Sequence, residues 1–375
     1  MNLLQKVKSH LVNLPGWRTQ RKIVVFESDD WGMIRMPSKE SYQRLVQKGV
    51  PVDKSVYNRF DSLERNQDLE ALMEVLDSVK DKNGSPARFT LNTIMANPNF
   101  QNIRESGYQK YFYEPFTETL GRYSHTDQVM KLYREGIEQK VFQPQFHGRE
   151  HLQVNNWLRK LQSNNTEFQA AFEEGMYTVN PTYGFSCKEE CLDGMATYHE
   201  PDSEFASHSV AEGLNLFEKT FGFRSRSVIA PCYTWHSDLE KTFADHGVKY
   251  IQGARAQREA RVGQEKKVIK RHYMGQKSSL GLRYLIRNVH FEQVENPEAD
   301  WVDSAMQEIK TAFRLRKPAI ISSHRVNYIG RINTAHRDKN LDFLRRMLQT
   351  IKKSYPEVEF MSTDELGDLM NPKRS

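Results

Sequence analysis

With 375 residues, 38% of them hydrophobic and 27% charged, the chain has material for one large α/β domain or two ordinary ones inside a well-solvated exterior. No apolar run approaches the roughly 20 residues that span a bilayer, and the opening MNLLQKVKSHLVNLPGWRTQRK lacks the apolar core of a secretory signal. The net charge of +6 comes without an RNP motif, helix-turn-helix pattern or zinc finger, so nucleic acid is not an expected partner.

Three cysteines, Cys187, Cys191 and Cys232, are too few for a disulfide framework and imply a reducing, cytoplasmic compartment. The CxxxC of Cys187 and Cys191 has no second cysteine pair and is read as structural rather than as a zinc site.

In chain order, residues 1–22 read as an arm. Leu3, Leu4, Val7 and Leu11 fit a short amphipathic helix, docked on the body or, alternatively, resting on a membrane surface. From residue 23 to about 370, apolar β-rich runs alternate with amphipathic helical stretches. The predicted strands are KIVVFES, ARFTLNTIM, KVFQPQFHG, RSVIAPCY, VKYIQG, RYLIRNVHF, AIISSHR and VEFMST. Helical patterns fall between them, among them DLEALMEVLDSVKD, HTDQVMKLYREGIEQ, NLFEKTFG, SDLEKTFADHG, ADWVDSAMQEIKTAFRL and NLDFLRRMLQTIKKS. Two stretches interrupt the rhythm: an irregular insertion at about 163–209, rich in turn residues and aromatics, and a basic, solvated excursion at about 254–275. The alternation predicts one α/β domain with a mainly parallel sheet, closer to a β/α barrel than to an open doubly wound sheet. No GxGxxG follows the first strand, which argues against a dinucleotide fold.

Reactive groups of such a barrel gather at the C-terminal ends of its strands. The first strand ends FESDDWG, with Asp29 and Asp30 adjacent. Neighbouring side chains on a regular strand face opposite ways, so both carboxylates reach one point only where the strand is already turning. The third strand ends FHGREH, with His147 and His151 four residues apart and expected on one helix face. Two imidazoles and a carboxylate oxygen suit Zn²⁺ or a similar divalent ion. One of the two aspartates is then a ligand beside His147 and His151, and its neighbour stays free as a base.

The order of these motifs, with the Pro/aromatic strand end APCYTW and the late histidine of SSHR, is similar to the NodB-like polysaccharide deacetylases. The resemblance runs from about residue 23 to 366. It implies a distorted (β/α)7-type barrel with a long insertion, a divalent metal (Zn, or Co, Ni or Mn), and removal of an N- or O-acetyl group from a saccharide. It puts the base on Asp29, the metal on Asp30, His147 and His151, and the general acid on His324. Trp31, Pro231, Tyr233, Trp235 and Arg325 become substrate-side residues, with a backbone N–H near Tyr233 as an oxyanion donor. Where the family has Arg-x-Pro-Tyr, this chain has Ile229 in the arginine's place; Arg325 is the stand-in expected to support the base.

Rival readings keep part of the pattern. HGREH also fits the HxxEH zinc peptidases, with Glu150 as base. Two histidines and a carboxylate also suit an Fe(II) oxygenase, although the helices here argue against the all-β scaffold usual for those sites. A barrel that binds saccharide without turnover is the non-enzymatic alternative. The expected partner is an acetylated saccharide or a nucleotide- or lipid-linked glycan precursor, with peripheral membrane contact left open.

Overall fold

The computed structural model describes residues 3–179 and 191–371. Nine parallel-paired strands form one curled sheet, here numbered β1 (Ile23–Trp31), β2 (Phe89–Ile94), β3 (Phe142–Gly148), β4 (Ser227–Ile229), β5 (Tyr250–Gly253), β6 (Arg283–Ile286), β7 (Val289–His290), β8 (Ala319–His324) and β9 (Glu359–Met361). Their order is β6-β5-β4-β3-β2-β1-β8-β7, with β9 paired to the first half of β1. β1 and β2 are buried along their whole length, which is why they read as near-continuous apolar runs rather than alternating ones. Helices cover the outside. Asn66–Asp77 buries Leu69, Leu72, Met73 and Leu76, and Trp301–Arg314 buries Ala305, Ile309, Ala312 and Phe313, each a stripe at the helical period. This is the β/α barrel the alternation predicts, in the distorted form the resemblance implies. Among the described residues no helix is long and apolar enough to cross a membrane.

β6 and β7 belong to a single predicted strand, RYLIRNVHF, which the fold divides. β6 pairs with β5, whereas β7 pairs with β8 at the other end of the sheet. The change of partner falls on Arg287 and Asn288: the Arg287 N–H reaches Gly253 O at 2.9 Å, and the Asn288 N–H reaches Ile320 O at 3.1 Å. One stretch of chain therefore joins the two edges of the curled sheet, and Arg287 stands at the seam.

Two expectations need correction. The stretch at 163–209 is not irregular throughout: it holds the helix Thr166–Glu173 and the start of the 22-residue helix Glu200–Phe221. Pro201 in the first turn and the Asp202 carboxylate, which accepts the His199 N–H at 2.9 Å, begin that helix rather than a turn. The basic stretch is an antiparallel hairpin, Ala256–Glu259 with Val268–Arg271. It is not merely solvated, because Lys267 is buried against Asp193 at 2.8 Å and Glu259 is buried among Lys270, Arg261 and Ser237. A short hairpin, Ala96–Pro98 with Tyr113–Pro115, was also not foreseen. Cys187 lies outside the described residues, so the CxxxC reading stands only as an expectation.

Candidate metal and catalytic site

Two β-bulges build the site. From Ser28 to Trp31 β1 advances three residues while its partner β2 advances two, from Leu91 to Thr93. The extra residue falls at Asp29–Asp30, and Asp30 takes a left-handed φ of 76°. Asp tolerates that region better than most residues, and a bulge re-aims side chains. Both carboxylates consequently line one cleft of about 440 Å³. On the other edge of β2 the register slips again, because Phe146 and Gly148 of β3 oppose the consecutive Thr93 and Ile94. The extra residue there is His147. His151 follows in an irregular turn, since the next helix begins only at Val154. The two histidines do converge, with ring centroids 5.2 Å apart, but through a strand end and a turn rather than the helix face expected from their spacing.

Among the described residues, Asp30, His147 and His151 offer ligand atoms that all lie within 4.8 Å of one another. Asp30 Oδ1 stands 3.4 Å from His147 Nε2 and 3.6 Å from His151 Nε2. Ligands about 2.1 Å from a tetrahedral ion stand about 3.4 Å apart, so the spacing fits a divalent cation. His147 Nδ1–H donates to Ile229 O at 2.9 Å, leaving the Nε2 lone pair toward Asp30. Burial, with His147 and Arg35 adding to it, pulls His151 down to about 3, so its imidazole is neutral and able to donate a lone pair. Burial opposes ionisation of Asp30, but the adjacent His147, with His151 and Arg35 nearby, holds it well below the usual carboxylate range. Arg35 Nη2 donates to Asp30 Oδ2 at 3.3 Å, the oxygen not facing the imidazoles.

Asp29 faces a different set of groups. Arg287 grips both its oxygens, Nη1 to Oδ2 at 2.7 Å and Nη2 to Oδ1 at 2.6 Å, and Asn92 Nδ2 adds a bond to Oδ1 at 2.7 Å. Burial alone would raise this carboxyl; the guanidinium outweighs it and holds the pKa at about 2. Arg287 also donates from Nε to Glu27 at 2.6 Å. His324 Nε2 lies 3.8 Å from Asp29 Oδ2, and its Nδ1–H donates to the buried Glu292. Burial works against the imidazolium, yet Glu292, with Asp29 and Asp30 behind it, pushes His324 up to about 10.

The remaining sequence-predicted residues divide. Tyr233 lines the cleft, and its hydroxyl accepts from Arg287 Nη1 at 3.2 Å. Its own backbone N–H donates to Ala230 O at 3.0 Å inside the turn. Pro231 is buried at the start of that turn and does not line the cleft, unlike Ala230 and Cys232 on either side. Trp31 and Trp235, expected to offer flat surfaces to a sugar, are both core side chains: Trp31 Nε1 bonds Ser28 Oγ at 3.0 Å, and Trp235 stacks beside His272. Arg325 does not support Asp29. It is fully buried beneath the site, bonded to both oxygens of Asp61 at 3.1 Å and to Glu64 at 2.8 Å. Glu150, the base of the peptidase reading, has both oxygens taken by Arg149, at 2.6 and 2.8 Å. Sequence reasoning passed over Arg287, Glu292, Asn92, Arg35 and Tyr57. The strand-end rule would have found Arg287 and Glu292 had the break inside RYLIRNVHF been visible.

No protein-family model and no curated protein matches the chain. In its arrangement of strands the chain is similar to polysaccharide deacetylases. A probable polysaccharide deacetylase from Pseudomonas aeruginosa superposes with a TM-score of 0.46 at 8% identity, over 95% of this chain and 93% of that one. An allantoinase gives 0.45 at 9% identity, over 96% of this chain and 95% of the other. A 4-alpha-glucanotransferase from Thermococcus litoralis gives 0.45 at 10%, over 92% of this chain, which spans only 40% of that protein. Three named activities on one likeness leave function to be argued from the site.

Proposed function

We propose that the protein is a divergent NodB-like deacetylase, a metal-dependent hydrolase that removes an acetyl group, as amide or ester, from a saccharide or saccharide precursor. The observation that carries this reading is the opposite facing of two adjacent carboxylates: Asp30 meets a pair of imidazoles, and Asp29 meets an arginine and a third imidazole. Asp30, His147 and His151 would hold the divalent cation, with zinc the first expectation. When bound there, it supplies Lewis-acid polarisation of the acetyl carbonyl and acidifies a water.

The chain's own groups do the rest. Arg287 keeps Asp29 ionised and fixed, so its carboxylate accepts a proton from the attacking water. His324, held as an imidazolium by Glu292, donates its Nε2 proton to the departing amine or hydroxyl. Tyr57 and Tyr233 line the cleft where a sugar ring would sit. The cleft volume falls in the range of small-molecule sites. We take residues 23–370 as one barrel domain carrying the arm 1–22, acting in the cytoplasm on a nucleotide- or lipid-linked glycan precursor.

Acetate release from acetylated saccharides by the purified, zinc-loaded protein tests the reaction. Release that disappears in Asp29→Asn supports it. Saccharide affinity without acetate release would instead make the barrel a binding module.

A further inference from the structure

We infer that the N-terminal helix and the hairpin beside it form a docking face for an anionic lipid surface. This rests on features remote in kind from the cleft chemistry and stands whichever reaction the cleft performs. The helix Leu3–Asn13 packs on Trp301–Arg314. Val7 and Leu11, four residues apart, share one side of it, Leu14 follows just past its end, and they are 48%, 50% and 49% exposed. The side turned to the protein carries the half-buried Val12 and two buried polar residues. Ser9 and Asn13 are buried there, with Asn13 Nδ2 donating to Ser9 O at 2.8 Å and Asn288 Nδ2 donating to Asn13 Oδ1 at 2.7 Å. A surface helix ordinarily buries its apolar stripe and wets its polar one; here three aliphatic side chains are left in solvent while Ser9 and Asn13 are buried.

The border of the stripe says what covers it. Arg255 Nη1 donates to Leu11 O at 3.2 Å, and Arg18 Nη2 donates to Leu14 O at 3.0 Å, so two guanidiniums flank the exposed leucines. Arg271, exposed, lies opposite Ala256 in the hairpin, next to Arg255. Tyr273 is 43% exposed and lies against Gly16, where an added Cβ would stand 2.8 Å from its ring. Aliphatic side chains ringed by arginines and a tyrosine match the boundary of an anionic bilayer, where the stems enter the acyl edge and the cations meet headgroups. A second copy of the chain is a poorer occupant. A twofold contact sets the same patch against itself and would bring Arg18, Arg255 and Arg271 toward their own likenesses.

Co-sedimentation of the full chain with lipid vesicles tests this. Binding is expected to vesicles containing phosphatidylserine, to weaken at high salt, and to be largely absent from pure phosphatidylcholine. The double variant Leu11→Ser/Leu14→Ser should bind roughly tenfold more weakly, because each leucine loses burial in the acyl boundary. It should melt like the wild type, because both side chains already face solvent. Arg255→Ser should weaken binding chiefly at low salt. Equal sedimentation of wild type and double variant, or no binding of the wild type to phosphatidylserine vesicles, would overturn the inference. So would a dimer that the double variant abolishes in a chain that ignores vesicles, which would assign the face to a second copy.

Discussion

Arg287 holds both oxygens of Asp29, at 2.7 and 2.6 Å, from a position where the chain changes strand partners. The same guanidinium bonds Glu27, so its loss leaves two buried carboxylates uncompensated. Arg287→Ala is therefore expected to destabilise the fold by about 3–5 kcal/mol and to lower kcat by about 100-fold. Arg287→Lys, which restores the charge but not the fork, should fall between. The pH dependence has a definite sign. Asp29 is depressed from 3.8 to about 2, so its contribution is present above the unfolded value and is lost as pH falls through the folded one. Urea unfolding of wild type and Arg287→Ala should show a stability gap that narrows between those two pH values. A gap that does not change with pH would contradict the assigned role.

Glu292 sets the proton on His324. Removing its charge takes away the main support for an imidazolium that burial otherwise opposes. Glu292→Gln should move the alkaline limb of the pH–rate profile from near 10 toward neutrality, leaving the acid limb in place. Stability follows the same linkage. A raised histidine stabilises fully below its unfolded value of 6.5 and loses that contribution as pH rises through about 10. The wild type should therefore lose its advantage over Glu292→Gln in that window, as thermal melts across pH would record.

The fold was legible where chemistry and burial speak locally. Each apolar run became a strand because a parallel sheet buries both faces, and Asp29, Asp30, His147 and His324 stood out as candidates because they end strands. What the sequence hid depends on pairing. Nothing in RYLIRNVHF marks Arg287 as the residue at which one strand partner is exchanged for another, so a group in mid-run proved to be a strand end. The bulges at Asp30 and His147 are likewise register slips against β2, visible only once β2 is beside them. Trp31 and Trp235 look like sugar platforms in the sequence, but which side of the sheet an aromatic takes is decided by the bulge or turn before it. Arg325 was misread for a simpler reason: the strand ends at His324, and Arg325 opens a short helical turn that carries its side chain to Asp61 and Glu64.

Metal content separates the ligand set from the peptidase alternative. Asp30→Ala, His147→Ala and His151→Ala should each lose bound zinc by at least about tenfold relative to wild type, measured by elemental analysis after dialysis. Chelation should lower the melting temperature of the wild type and leave these three unmoved, because only a bound ion adds ligand-linked stability. Glu150→Gln should retain zinc and retain activity per folded molecule, since both Glu150 oxygens serve Arg149 rather than the cleft. Loss of activity in a folded, zinc-loaded Glu150→Gln would revive the HxxEH reading.

Arg325 provides a test between contact and support. Its guanidinium is closed within Asp61, Glu64 and the Met33 carbonyl, and Asp61 also pairs with Arg35, which in turn touches Asp30. Arg325→Ala leaves Asp61 with Arg35 as its one cation and Glu64 with only neutral donors, and should cost about 3–5 kcal/mol of stability. Arg325→Met, which fills the volume without charge, should not rescue it, since both acids still lack that guanidinium. The double variant Arg325→Met/Asp61→Asn should recover part of the loss by removing one of those two charges. For a residue that met substrate, KM would rise in every variant regardless of fold stability. For a buried support, KM of the folded fraction should stay near wild type while the melting temperature drops and then partly returns. Steady-state kinetics beside melting curves for these three variants distinguish the two, and a raised KM in the repacked double variant would return Arg325 to the substrate side.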